Sequence, residues 1–318
     1  MYSAFGGRGA HALLGAACSS VSRVSASLAQ IFHVPQISHS ATSPALGDQR
    51  LFPFFMRTVP SDSFQAVAMA HMVRELLGFW RVATIAVDDE YGRAGIGAFN
   101  EAASALDLEV LTSIYFEQSQ TSFDTLLDQL RVSGATVLVL VAVEAAAFLE
   151  AAMSRGFVGD GYTWIVSSDS LKDVSGSAYK GLVALQPFVP SNSVARAAYE
   201  QRRQQLDHSR DGGCSLAMDD EGNYLWALVD NASTLTCLTD HVGVSDSYDT
   251  FAYDAAMFLA HGLHELIEVR GGSPVDGNRL LFGDELMASL LRVDFEGATG
   301  RVVRREGLET TAPIHHAL

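Results

Sequence analysis

Five strand-to-helix turns hold the residues of this chain that could do chemistry. Ser19 and Ser20 stand at the first, Ser40 and Thr42 at the second, Ser61 and Asp62 at the third. The fourth reads Asp88-Asp89-Glu90-Tyr91 and the fifth Ser167-Ser168-Asp169. Hydroxyls at the first two turns suit an anion, because a helix start offers bare N–H groups and a positive dipole end. Carboxylates and a tyrosine at the others suit a cation, through charge-assisted hydrogen bonds and an electron-rich ring face. Each turn also has a plain structural reading. Ser19 and Ser20 cap a helix, a preference worth ~0.5–2 kcal/mol over alanine. Thr42 is a turn residue, Asp62 or Ser61 caps the next helix, Tyr91 packs at a helix start, and Asp169 sits in an ordinary Ser/Asp turn. Together the two sets match the two poles of a small zwitterion. Its carboxylate would meet Ser19 and Thr42, and its ammonium Asp62, Tyr91 and Asp169.

The elements that must position these turns alternate in kind. "HALLGA", "VPQISHS", "RVATIAV", "LEVLTSIYF", "TVLVLVAV" and "YTWIVSS" read as strands. "VSRVSASLAQIF", "SFQAVAMAHMVRELLGF", "GIGAFNEAASAL", "FDTLLDQLRVS", "EAAAFLEAAMSRG" and "FAYDAAMFLAHGLHELIE" have helical spacing. Uninterrupted apolar runs suit parallel strands buried on both faces, and strand-helix alternation gives a doubly wound α/β sheet. Ligands of such sheets bind beyond the carboxyl ends of the strands, where these turns lie. Residues 210–248 break the rhythm and read as a long surface insertion.

Composition removes several function classes. The chain has 318 residues, enough for about two domains. Its formal net charge of −16 opposes nucleic-acid binding, which needs clustered Lys and Arg. No run of about 18 apolar residues is present to span a membrane. The N-terminal stretch does not read as a signal peptide. His261, His264 and Glu265 share a helix face but lack a third ligand at metal spacing, and "DDEYG" lacks calcium-loop spacing, so no metal or cofactor is expected. No GxSxG, Walker loop or GxGxxG occurs, so no catalytic residue is assigned and the chain is not expected to be an enzyme. Of the three cysteines, Cys214 and Cys237 are free to pair in an oxidising compartment. Asn231 heads a glycosylation triplet.

The stretch "CSSVSRVSASLAQIFHVPQISHSATSPALGDQRLFPFFMRTVPSDSFQAVAM" resembles the ligand-binding Venus-flytrap domain of class C G-protein-coupled receptors. "SATSPAL" followed by "RLFPFFMRTVPSD" carries the most specific part, and "DDEYGRAGIGAF", "FDTLLDQLR", "SSDS", "YDAAMFLAHGL" and "FEGATGRV" continue it in order. The resemblance implies a type I periplasmic-binding-protein-like fold of two doubly wound lobes. Residues 1–60 and 187–293 would form lobe I, lacking its first strand-helix units, and residues 61–186 and 294–318 lobe II. Hinge crossings fall near Pro60, Pro187 and Asp294. In amino-acid-sensing members a serine and a threonine hold the ligand's α-carboxylate, at positions that fall on Ser19 and Thr42. Two acids and a tyrosine hold the α-ammonium, at Asp62, Tyr91 and Asp169, with backbone near Ser20 and Ser40 assisting. The basic residue of glutamate-type members would fall near Ser273-Pro274, where none stands, so glutamate itself is not the expected ligand. Cys18 matches a cysteine that pairs upstream in GABA type B-like members.

The expectation is therefore an extracellular receptor domain, on the outer side of the cell membrane, that binds an amino-acid-like small molecule and, in the full receptor, meets a dimer partner through lobe I. A soluble periplasmic-type amino-acid-binding protein, or the binding domain of a receptor guanylyl cyclase or an ionotropic receptor, shares the same site. A remnant that binds nothing, or an enzyme of the doubly wound class revealed by turnover, completes the alternatives.

Overall fold

The computed structural model describes residues 10–143, 145–167, 170, 182–185, 187, 189, 193–208, 248–271 and 283–303. The expected Asp169, Asn231, Cys214 and Cys237, and the Ser273-Pro274 position, lie outside them.

Two parallel sheets organise the chain. The first is short, in order β1 (Leu13–Leu14), β2 (Gln36–Ser38), β3 (Phe55–Arg57), with α1 (Ser19–Ile31) crossing between β1 and β2. The second runs in order β5-β4-β6-β7-β8, where β4 is Arg81–Val87, β5 Glu109–Phe116, β6 Val137–Val141, β7 Thr163–Ser167 and β8 Leu182–Leu185. Ile85 stands in register with Ile114 on one side and Leu140 on the other. Every residue of β6 is buried, as its unbroken "VLVLV" requires of a strand covered on both faces. The helices α2 (Asp62–His71), α3 (Glu90–Ala105), α4 (Asp124–Ser133) and α5 (Ala146–Ser154) supply the cover. This is the parallel-sheet α/β architecture of the periplasmic-binding-protein type.

Each sheet gathers apolar side chains on its faces. Phe116 and Phe148 stack at 5.0 Å, Phe123 meets both edge-on, and the buried Trp164 ring donates its Nε1–H to the Phe157 carbonyl at 2.7 Å. Around the first sheet, Ile37 and Met56 pack against Ala255 and Phe258 of α7 (Asp249–His264) and Leu286 and Leu290 of α8 (Gly283–Leu290), which follow α6 (Val194–His208). The hairpin β9 (Asp294–Gly297) and β10 (Gly300–Val303) joins this same cluster through Phe295 and Val302. Residues 294–303, expected with the second lobe, thus pack with the first. Their turn is gripped by the buried Asp254 of α7, which accepts from the Ala298 and Thr299 amides.

The chain leaves the first sheet at Val59 and passes back near Val189. Both residues sit in one apolar cluster with Tyr248 and Phe251, where the Thr58 hydroxyl donates to the Phe251 carbonyl at 2.8 Å.

The stretch read as one helix over 63–79 divides. α2 ends at His71 and a single π-turn, Met72–Leu76, closes it, with the Leu77 amide reaching the Met72 carbonyl at 2.9 Å. The wider turn buries Val73 and leaves Leu76 exposed.

Candidate ligand-binding site

The first turn of α1 does not have the serine cap that its sequence allowed. Cys18 occupies the cap position with no side-chain hydrogen bond, and Ser19 and Ser20 are the first helical residues. Ser19 is buried, and its Oγ accepts from the Ser43 amide at 3.1 Å. That bond fixes the loop after β2 against the positive end of α1. Ser20 is exposed and lines an open groove with Arg23, Val24 and Glu90.

The loop 40–43 is held by groups from three sides. The Ala41 amide donates to the Ser38 Oγ at 2.9 Å, and the half-buried Ser40 donates its amide to the same oxygen at 3.3 Å. The Thr42 carbonyl accepts from the Asp62 amide at 2.9 Å. Ser38 in turn donates its hydroxyl to the Ala16 carbonyl at 2.7 Å. A serine at the end of a strand has no role visible in sequence. Here it acts as the peg on which the loop turns.

Asp62 is released from capping by its neighbour. Ser61 is the N-cap of α2 and accepts from the Ser63 amide, so Asp62 enters the first helical turn, buried and beside Thr42. A carboxylate there is favoured by the helix dipole. The amide of Asp62 is itself hydrogen-bonded to the hydroxyl turn, so opposite ligand poles would be received close together.

Tyr91 arrives from the second sheet. Asp89 caps α3 by accepting from the Gly92 amide at 2.8 Å, which places Tyr91 in the first turn, buried. This turn lies where β4 has β5 on one side and β6 on the other, the point at which strand order reverses and doubly wound sheets bind ligands. Arg23 of α1 forms an ion pair with Glu90 of α3, and α3 also packs on the 3₁₀ turn Pro44–Gly47. Ser19 therefore holds the loop at Ser43 and Asp62 holds it at the Thr42 carbonyl, while the ion pair of Glu90, the residue before Tyr91, ties the first turn of α3 to α1. Among the described residues no group of three His, Cys, Asp or Glu could hold a metal.

His39, between Ser38 and Ser40, is titrated by its surroundings. Burial holds its imidazole below the ordinary value of 6.5. A depressed imidazole adds stability above the unfolded value and loses it as pH falls through the folded one. Thermal stability is expected to drop as pH goes from 7 toward 5, and His39→Gln should flatten that slope in a melting series; an unchanged slope would show His39 is not the cause.

The model of the receptor family ligand binding region matches residues 5–309. The chain is 26% identical over 300 residues to metabotropic glutamate receptor-like protein E of Dictyostelium discoideum, covering 91% of this chain and 32% of that protein. It is 27% identical over 325 residues to glutamate receptor 3.1 of Oryza sativa subsp. japonica, covering 96% and 32%. With the human extracellular calcium-sensing receptor it shares 39% identity over 113 residues, 34% of this chain and 10% of the receptor. The chain spans about a third of the length of the first two relatives. With nearly all of its length matched and both parallel sheets in place, the chain belongs to the receptor family ligand binding region.

Proposed function

We propose that this chain is the extracellular ligand-binding domain of a class C G-protein-coupled-receptor-like protein, and that it binds an amino acid or similar small zwitterion between two lobes. The observation that supports this reading is that the loop carrying Thr42 is hydrogen-bonded to Ser19 on one side and to the Asp62 amide on the other, with α1 ion-paired to Glu90 in the turn that carries Tyr91. Hydroxyl and helix-end donors for a carboxylate then stand next to an acid and a ring face for an ammonium. Ser19 and Thr42 belong to the first sheet's side and Tyr91 to the second's, so a ligand touching all of them favours the closed arrangement. It can favour closure only by as much as it binds that arrangement better. The shared cluster of Val59 and Val189 is where the chain would flex. Signal transmission belongs to other parts of a longer membrane protein, of the kind its relatives are.

Isothermal titration of the twenty standard L-amino acids tests this. At least one should bind, and Ser19→Ala or Asp62→Asn should weaken it by about ten- to a hundredfold, since a hydrogen bond to a charged group is worth ~1.5–3 kcal/mol. Unchanged affinity in both variants would remove these residues from the site.

A further inference from the structure

Arg57 is the last residue of β3, at the end of an apolar "FFM" run, and is 1% exposed. A guanidinium cannot shed its charge, so its burial has to be matched by acceptors. Its Nη1 donates to the Ala41 carbonyl at 2.9 Å and to the Ser43 carbonyl at 2.8 Å. These are the carbonyls on either side of Thr42. The Thr42 carbonyl is itself taken by the Asp62 amide, and the Ser43 amide by Ser19. One buried cation therefore pulls two successive-but-one carbonyls to the same point and sets the path of the loop between them.

We propose that Arg57 is the positioning residue of the carboxylate subsite, holding Thr42 between Ser19 and Asp62 without touching the ligand. This rests on the amino-acid reading above. With both carbonyls drawn to the guanidinium, the three-residue segment is held at each end, and Thr42 keeps its place against the end of α1. Both bonds come from the one nitrogen Nη1. A lysine at the same position keeps the charge, but its side chain is one bond shorter, so its ammonium falls short of the point where the two carbonyls meet. Methionine removes the charge too and leaves two buried carbonyls without their donor.

The test is titration of the full chain with the tightest-binding L-amino acid and with its carboxamide, for the wild type, Arg57→Lys and Arg57→Met. Arg57→Lys is expected to weaken the amino acid about tenfold and its carboxamide less than threefold, because only the former uses the anion subsite. Arg57→Met should show the larger loss if it folds; if it does not, the lysine variant alone decides. Equal weakening of both ligands by Arg57→Lys, or none, overturns the positioning role while the amino-acid reading stands. Binding of no amino acid by the wild type overturns that reading and the positioning role with it.

Discussion

Asp254→Ala is expected to lower the unfolding free energy by roughly 3–5 kcal/mol, the range for breaking a buried charged network. The carboxylate is fully buried on α7 and receives three donors: the Ala298 amide at 2.7 Å, the Thr299 amide at 2.8 Å and the Thr299 hydroxyl at 2.5 Å. Alanine leaves all three without an acceptor inside the protein, and each orphaned buried group costs about 1–3 kcal/mol. The hairpin of β9 and β10 would loosen, and with it Phe295 and Val302 in the core beneath the first sheet. A melting temperature lower by roughly 5–10 °C should result. Asp254→Asn keeps the shape and one acceptor oxygen and should cost less than alanine. Equal melting temperatures for wild type and Asp254→Ala would show that the hairpin is held by something else.

Asp254 also has an unusual pH signature. Burial raises its carboxyl above the ordinary 3.8, although the hydrogen bonds from Thr299 and Ala298 pull the other way. A carboxyl with a raised folded value gives stability that is full below the unfolded value and is lost as pH rises through the folded one. Its own contribution to the pH slope is thus opposite to that of Asp124, whose carboxyl Arg155 holds low. Removing Asp254 should make the loss of stability between pH 6 and pH 4 steeper.

Gly92→Ala should be the second large effect, and it reaches the site. A Cβ at residue 92 would stand 2.1 Å from the Val87 carbonyl oxygen and 3.0 Å from the Val87 Cγ1. The first obstacle is backbone of a central strand, so α3 would have to back away from the sheet. Overpacking of this kind costs about 1–3 kcal/mol or more. The same shift moves Tyr91, the preceding residue, and strains the bond from the Gly92 amide to the Asp89 cap. Ligand affinity should fall together with melting temperature. Gly97→Ala is the control: nothing lies within 4 Å of its Cβ, and alanine in an exposed helix gains about 0.5–1 kcal/mol over glycine. Calorimetric melting and titration of both variants check the pair. A Gly92→Ala protein as stable as wild type would mean that α3 does not press on β4 as described.

Much was legible from the sequence because hydrophobic burial is written residue by residue. "RVATIAV" and "TVLVLVAV" could be no other than strands covered on both faces, and they are the adjacent strands β4 and β6. The strand-to-helix turns followed from the alternation, and with them the positions of Ser19, Thr42, Asp62 and Tyr91. Other features depended on partners distant in the chain. The choice between Ser61 and Asp62 as cap needed the backbone geometry, which gave it to Ser61. The helix over 63–79 needed the packing of Val73 to show its π-turn.

The sequence alone determined the α/β class and the residues at the ends of its strands, because periodicity and turn chemistry act over a few neighbouring residues. The tertiary structure decided that Arg57 grips the carbonyls of 41 and 43, that Arg23 meets Glu90, and that the 294–303 hairpin sits with the first sheet. Those outcomes rest on a buried charge, an ion pair and a packed core between segments 14 to 265 positions apart, and short-range patterns carry no record of which distant group will satisfy them.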